Sequence, residues 1–380
     1  MARLGHGSIG WPRREQSRAV TSCVVVLAVV LVGCAETPEP ELPDPPDGSE
    51  LVLEVGDLEV YKTFGGELCA GTLRRIEQHA NGLAELFDMD PPRARVFLYD
   101  DVDAVMHACW TGVWGCARDW GASALPPSAL HEMAHVFMRA ATDNANTRPF
   151  IEEGAATRLE GAWVDYGIAG DEDLVQALAS KSSLDASRGL GAHVFAWALD
   201  RNGFQSIVDA HVDTAGVEDE EELQRAFAAA FGFASLDELA AEFWATRRLQ
   251  YPALPDTVGV LRSDQLMAGA HVDASCGGPY TEGPQPGAAL RTTFRLEITQ
   301  PGLYEVEHDP IPALTFWKPL LRPTDPAYDA MLAAYADVCV DGEHIAFPTP
   351  QQYEVGFDHA LAETFDASVS ATYVGGDACP

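Results

Sequence analysis

The pentapeptide H-E-M-A-H, His131 to His135 within "PPSALHEMAHVFMRA", constrains the fold more than any other stretch. Residues four apart on an α-helix stand one turn apart on the same face, so both imidazoles can point at one ion. Glu132 lies about 100° around the helix, near that ion but turned aside. Two neutral imidazoles are zinc ligands, and the offset carboxylate is placed to take a proton from a water beside the metal. Such a centre needs a third protein ligand and one open position, so a second element must pack against this helix. Glu153, in "FIEEGAAT", is the candidate third ligand. Pro149 marks the start of its helix and Gly154 permits close helix–helix approach. Glu152 competes with it by position.

The first 34 residues read as an export address. Arg3, Arg13, Arg14 and Arg18 precede the apolar run "AVTSCVVVLAVVLVG", which is short for a membrane span and suited to a signal peptide. "LVGC", ending at Cys34, resembles a bacterial lipobox. That resemblance implies a lipidated Cys34 and a membrane partner, and Ala35 after it fits an outer-membrane address. "AETPEPELPDPPDGS" follows, with five prolines and five acids, and is expected to form an extended tether. Of 24 basic and 58 acidic residues the leader holds four and one, which leaves a mature formal charge of about −37. A field of that sign repels phosphate and excludes nucleic acid as a partner.

Six cysteines remain after Cys23 and Cys34, an even number in an exported chain, which argues for disulfides. Six allow fifteen pairings. Cys109 and Cys116 bracket the short loop "WTGVWG" and are the expected pair. No C-x-x-C spacing supports a cysteine zinc site.

Hydrophobic periodicity divides the chain into a leader (1–34), a tether (35–50), a mixed domain (51–250) and a mainly β domain (256–380). Residues 51–64 alternate as two short strands around Gly56-Asp57, and a helix is expected over about 66–87. "ARVFLY" reads as a buried strand, "DDVDAVMHAC" as a short helix, and "WGASAL" as a strand before the motif helix. Residues 149–247 read as successive helices separated by Gly, Asp and Ser. "LRTTFRLEITQPGLYEVEHD" alternates like a hairpin turning at Pro301-Gly302.

The string "H-E-M-A-H … P-F-I-E-E-G-A-A-T-R-L-E" resembles the gluzincin metallopeptidases, the clan of thermolysin and aminopeptidase N. Phe150 and Ile151 take that pattern's aromatic and apolar places, Glu153 and Gly154 its ligand and glycine, and Ala156 its alanine. The resemblance implies an α+β zincin-like catalytic domain, with a small mixed sheet and a helical subdomain. It also implies zinc on His131, His135 and Glu153, Glu132 as general base, and a peptide or protein substrate. It extends loosely over 95–247, through "GLGAHVFAWALDRNG" and "AFGFASLDELAAEFWA". Where aminopeptidase-like members place an oxyanion-stabilising tyrosine, three residues before a helix glycine, this chain has Arg188 before Gly191. Arg188, His193 and Tyr166 are the alternatives for that role. Glu160, seven residues after Glu153, either orients a ligand imidazole, as a carboxylate does in relatives, or is a solvated helix acid. "WGASAL" is either the edge strand on which an extended peptide aligns or a plain structural strand. The absence of the aminopeptidase substrate signature speaks against aminopeptidase specificity and leaves endo- versus exo-cleavage open. The missing oxyanion tyrosine motivates a second reading, a catalytically silent surface lipoprotein that binds peptide or envelope material.

Overall fold

The computed structural model describes residues 41–109, 114–160, 173–181, 185–246 and, beyond these, 260–262, 267–273, 275–278, 281–285, 289–298, 300, 302–309, 316–319, 344–347, 351–360 and 366–374. The expected leader, Cys34 with its lipobox, the start of the tether, Tyr166, Cys339 and Cys379 lie outside them. Among the described residues no helix is long and apolar enough to cross a membrane.

The fold is mixed α+β, with a small mixed sheet covered by helices and a run of strands after residue 260. Strands β1 (Glu50–Val55) and β2 (Leu58–Lys62) form a hairpin around Gly56, whose φ of 59° suits a residue without Cβ. The tail end of the expected tether docks beside them, where Pro43 O accepts a hydrogen bond from Arg95 Nη1 at 2.6 Å. Strand β3 (Ala94–Leu98) pairs parallel with β2 and with β5 (Gly121–Ala124). Leu58, Val60, Val96, Leu98, Ala122 and Ala124 alternate onto the buried face. Strand β4 (Gly115–Arg118) pairs antiparallel with β5 and closes the order β1-β2-β3-β5-β4.

"WGASAL" therefore supplies an interior strand, so of its two readings the plain structural strand holds and the edge strand does not. The edge is β4, folded back through a turn at Asp119-Trp120. Its fold-back is tied by a disulfide from Cys116 to Cys109, at the end of α2 (Val102–Cys109). The disulfide spans 7 residues, a spacing compatible with a closed turn.

Helix α1 (Ala70–Phe87) buries Ile76, Ala80 and Leu83 at helical spacing. It starts four residues later than periodicity predicts, because the chain before it is bound elsewhere. Cys69 N donates to Gly283 O and Ala70 N to Cys276 O, which satisfies the first amides of the helix from far along the chain. A Cys69–Cys276 disulfide fastens the same point.

A 3-10 turn (Pro126–Ser128) leads into α3 (Ala129–Ala141), which carries the H-E-M-A-H motif and is buried on every side from Ala129 to Met138. Helices α4 (Pro149–Glu160), α5 (Leu174–Ala179), α6 (Asp185–Asn202), α7 (Gln205–Thr214), α8 (Glu220–Ala230) and α9 (Leu236–Thr246) follow. Phe150, Phe195, Phe227, Phe231 and Phe243 fill the space between them. Each such buried ring contributes roughly 1.5–3 kcal/mol relative to exposure.

After residue 260 the strands form two sheets. One has the order β12 (His344–Phe347), β10 (Gly302–Asp309), β14 (Asp366–Tyr373), β7 (Met267–Asp273). The other has the order β11 (Phe316–Pro319), β13 (Gln351–Ala360), β9 (Ala289–Ile298), β6 (Val260–Arg262), with β8 (Thr281–Gln285) also on β9. The expected hairpin at Pro301-Gly302 is corrected: both strands form, but β9 and β10 belong to different sheets. Ten residues of β13 pair along β9, and β14 takes the matching place beside β10. Alternation gives strand and face, and partner choice is decided by these distant segments.

Candidate metal centre

Two helices deliver the candidate donors. His131 and His135 project from one stripe of α3, and Glu153 comes from α4 packed against it. His131 Nε2 lies 3.2 Å from His135 Nε2 and 3.2 Å from Glu153 Oε2, and His135 Nε2 lies 3.7 Å from Glu153 Oε1. One donor atom from each residue falls within 4.8 Å of the others. A tetrahedral ion with bonds near 2.0–2.2 Å needs donors about 3.3–3.6 Å apart, so the spacing and the N, N, O donor set fit zinc. Glu152 does not join them. Its Oε1 accepts from Thr147 N at 3.2 Å, folded back over the start of its own helix.

The position of Glu153 depends on a backbone contact. A Cβ on Gly154 would stand 2.7 Å from Gly191 Cα, and one on Gly191 would stand 2.8 Å from Gly154 Cα. The glycines thus let α4 and α6 touch. The close approach foreseen for Gly154 is to α6 rather than to the motif helix. That contact sets the preceding Glu153 beside Arg188, one turn before Gly191. Arg188 Nε donates to Glu153 Oε2 at 2.7 Å, its Nη2 pairs with the same oxygen, and Nη2 lies 3.4 Å from His131 Nε2. Arg188 is therefore bonded to a candidate ligand. His193 lies buried on the same helix.

Glu160, two turns beyond Glu153 on α4, reaches the other nitrogen of the first imidazole, with Oε2 2.9 Å from His131 Nδ1. A carboxylate on Nδ1 fixes the ring's orientation and leaves Nε2 for the ion. Glu132 is turned aside, toward β4. A Cβ on Gly115 would fall 2.6 Å from Glu132 Cγ and 2.7 Å from its Oε1, so the carboxyl group lies against bare backbone at the start of β4.

Charge follows from this crowding. Burial alone would discharge His131, but Glu160, Glu153 and Glu132 outweigh it and hold the imidazolium up to about 10. Burial, then the adjacent His131 charge, push His135 down to about 3. Burial raises Glu153, but the His131 hydrogen bond with the charges of His135 and Arg188 overrides it and brings the group to about 2. Glu132, raised chiefly by burial, titrates near 7. The result is one anionic ligand, one proton that a bound cation would displace, and a carboxyl poised at neutral pH.

Sequence reasoning missed four contributors. Gly191 and Gly115 act through the side chains they lack. His79, at helical spacing between Ile76 and Leu83, is buried with Nε2 3.0 Å from Leu130 O, one residue before His131. Burial brings it down to about 4. Arg139, one turn past His135, donates from Nη1 to Ala117 O at 3.1 Å. Its place on the imidazole stripe was the only available signal.

No family model and no curated protein matches the chain. Among solved structures it is similar to an M1 zinc metallopeptidase from Deinococcus radiodurans, with 17% identity and a TM-score of 0.31. The match covers 56% of this chain and 53% of that one, so the chain spans about half the length of that structure. At that level the likeness carries no argument, and any functional reading stands on the geometry above.

Proposed function

We propose that the chain is a zinc-dependent peptidase of gluzincin type with a zincin-like catalytic domain, and that it hydrolyses peptide bonds at the α3–α4 centre. One observation carries the reading: two imidazoles and a carboxylate converge at metal-ligand spacing while an adjacent buried carboxyl stands outside the donor set. His131, His135 and Glu153 would hold the zinc, which would supply Lewis-acid chemistry at a water and at the scissile carbonyl. Glu132, buried beside the donor set but outside it, takes a proton from the attacking water and passes it to the leaving amine. Glu160 keeps the His131 ring aimed, and Arg188 stabilises negative charge developing beside Glu153; their contacts with His131 and Glu153 support these roles. We further propose that the enzyme is exported, carries a lipid on Cys34, and works at the bacterial envelope, on the strength of the leader, the lipobox and the acidic tether.

The test is Glu132→Gln. It should retain one zinc per chain by elemental analysis and lose hydrolysis of a fluorogenic peptide library by about a thousandfold or more. Wild-type protein that holds zinc and cleaves nothing would leave the silent binding reading. One contact favours that second reading. The Arg188 guanidinium already neutralises Glu153, as a cation would. Arg188→Ala separates the two, since an oxyanion role predicts a fall in kcat at unchanged zinc content. A plug role predicts tighter zinc binding.

A further inference from the structure

We propose that Arg139 determines specificity by shortening the pairing edge of β4 to a single residue, Gly115. The inference rests on the peptidase reading, in which an extended peptide lies beside the strand next to Glu132.

Leu125 N donates to Trp114 O at 2.9 Å, which sets the phase of the β4–β5 ladder. In an antiparallel pair, residues alternate between those that bond the neighbour and those that turn their amide and carbonyl to the other side. Trp114, Cys116 and Arg118 therefore face β5, and Gly115 and Ala117 face outward. Gly115 stands against the Glu132 carboxyl, so a peptide paired with it passes beside the base. The next outward carbonyl is already taken. The Ala117 carbonyl accepts from Arg139 Nη1 at 3.1 Å, and the Asp119 carboxylate lies 3.7 Å from the same nitrogen.

Arg139 is fixed in this position by its own helix, because His131, His135 and Arg139 follow one another at intervals of four on α3. The stripe that presents the imidazoles thus also sends a guanidinium across the lane a substrate strand would take. The strand itself cannot move aside: Cys116 is disulfide-bonded to Cys109, and Arg118 Nη2 donates to the Ala108 carbonyl at 3.2 Å. Among the described residues a peptide is registered by one backbone pair beside the base and gains nothing from reaching past it toward Arg118.

The experiment is a backbone N-methyl scan of a cleavable peptide. Hydrolysis is followed with the zinc-loaded wild type, and binding with zinc-loaded Glu132→Gln. One methylated position should cost about tenfold or more, and the position two residues along should cost less than twofold. In Arg139→Met, which keeps the stem of the side chain, that second position should become sensitive. Peptides lengthened on that side should then gain severalfold in kcat/KM, mostly through KM. Two sensitive positions in the wild type, or none, would overturn the proposal without any variant having to fold. Peptides bound in the expected pattern but never cut would sink the peptidase reading and leave the edge assignment standing. Peptides cut with two sensitive positions would do the reverse. If no peptide binds at all, both fall.

Discussion

Two of the elements packed on helix α3 are unlike. On one side α4 brings Glu153 and Glu160, backed by Arg188 from α6, and the contact is crowded with charge. On the other side β4 brings a bare glycine and a backbone carbonyl, tied down by a disulfide and an arginine hydrogen bond. The charged side governs whether a cation binds, since it supplies the anionic ligand and the displaceable proton. The neutral side keeps Glu132 buried and, on the proposed peptidase reading, governs what the base and a substrate meet there. The same helix stripe serves both sides, and the two contacts can be broken separately.

The largest effect belongs to the charged side. Gly191→Val would drive a branched side chain into Gly154 and the Phe150 carbonyl, where even a Cβ stands at 2.8 Å. Backbone cannot yield as a flexible side chain can, so α4 and α6 must separate. The expected outcome is a loss of about 3 kcal/mol or more of stability together with loss of zinc, followed by thermal melting and metal analysis. A variant that melts normally and binds zinc would show that the glycine contact does not position Glu153.

Next comes Glu160→Gln. Removing the carboxylate on His131 Nδ1 should weaken zinc about 10–100-fold in a competition titration. The pH dependence sharpens this. Free His131 is held protonated up to about 10, and a ligand must be neutral, so binding expels its proton. Zinc affinity should therefore rise with pH by up to about tenfold per unit between pH 6 and 8. His135, already discharged at about 3, adds no proton in that window, and the share lost by Glu132, held near 7, is removed by making the comparison in the Glu132→Gln background. In Glu160→Gln the His131 proton is held less tightly and the slope should flatten. An unchanged slope would mean that His131 is not the group displaced.

The difference between the two neighbours also decides what could be read from the chain. On the charged side the imidazole pair was legible because its logic is local, four-residue spacing on α3, whereas the choice of Glu153 over Glu152 and the role of Glu160 came from the gluzincin resemblance, since spacing alone left both open. Most strands and helices were legible for the same reason, through period and punctuation. Partnership was not. Nothing in "LRTTFRLEITQPGLYEVEHD" states that β9 and β10 enter different sheets, because their partners lie about sixty residues away. Nothing near residue 70 states that α1 waits for the carbonyls of Cys276 and Gly283. The neutral side of α3 failed in the same manner, since "WGASAL" has the composition of a strand but only its neighbours decide which strand is the edge. Gly115 and Gly191 act through close approach, which a sequence shows only as small residues.

The smallest expected effect tests the neutral side alone. In Gly115→Ala the new methyl would meet Glu132 Cγ, Oε1 and Cδ at 2.6 to 2.9 Å, and a side chain rather than backbone has to move. The fold should survive with a change of about 1 kcal/mol, and zinc should stay, because none of the three donors touches Gly115. The carboxyl group, however, must swing or turn, and misplacing a general base by a fraction of an ångström costs rate rather than binding. A fall of about tenfold in kcat is expected, with KM and zinc content near wild type. Equal loss of zinc and kcat would mean that the two sides of α3 move together, and that the division between a cation-binding face and a substrate-facing one is false.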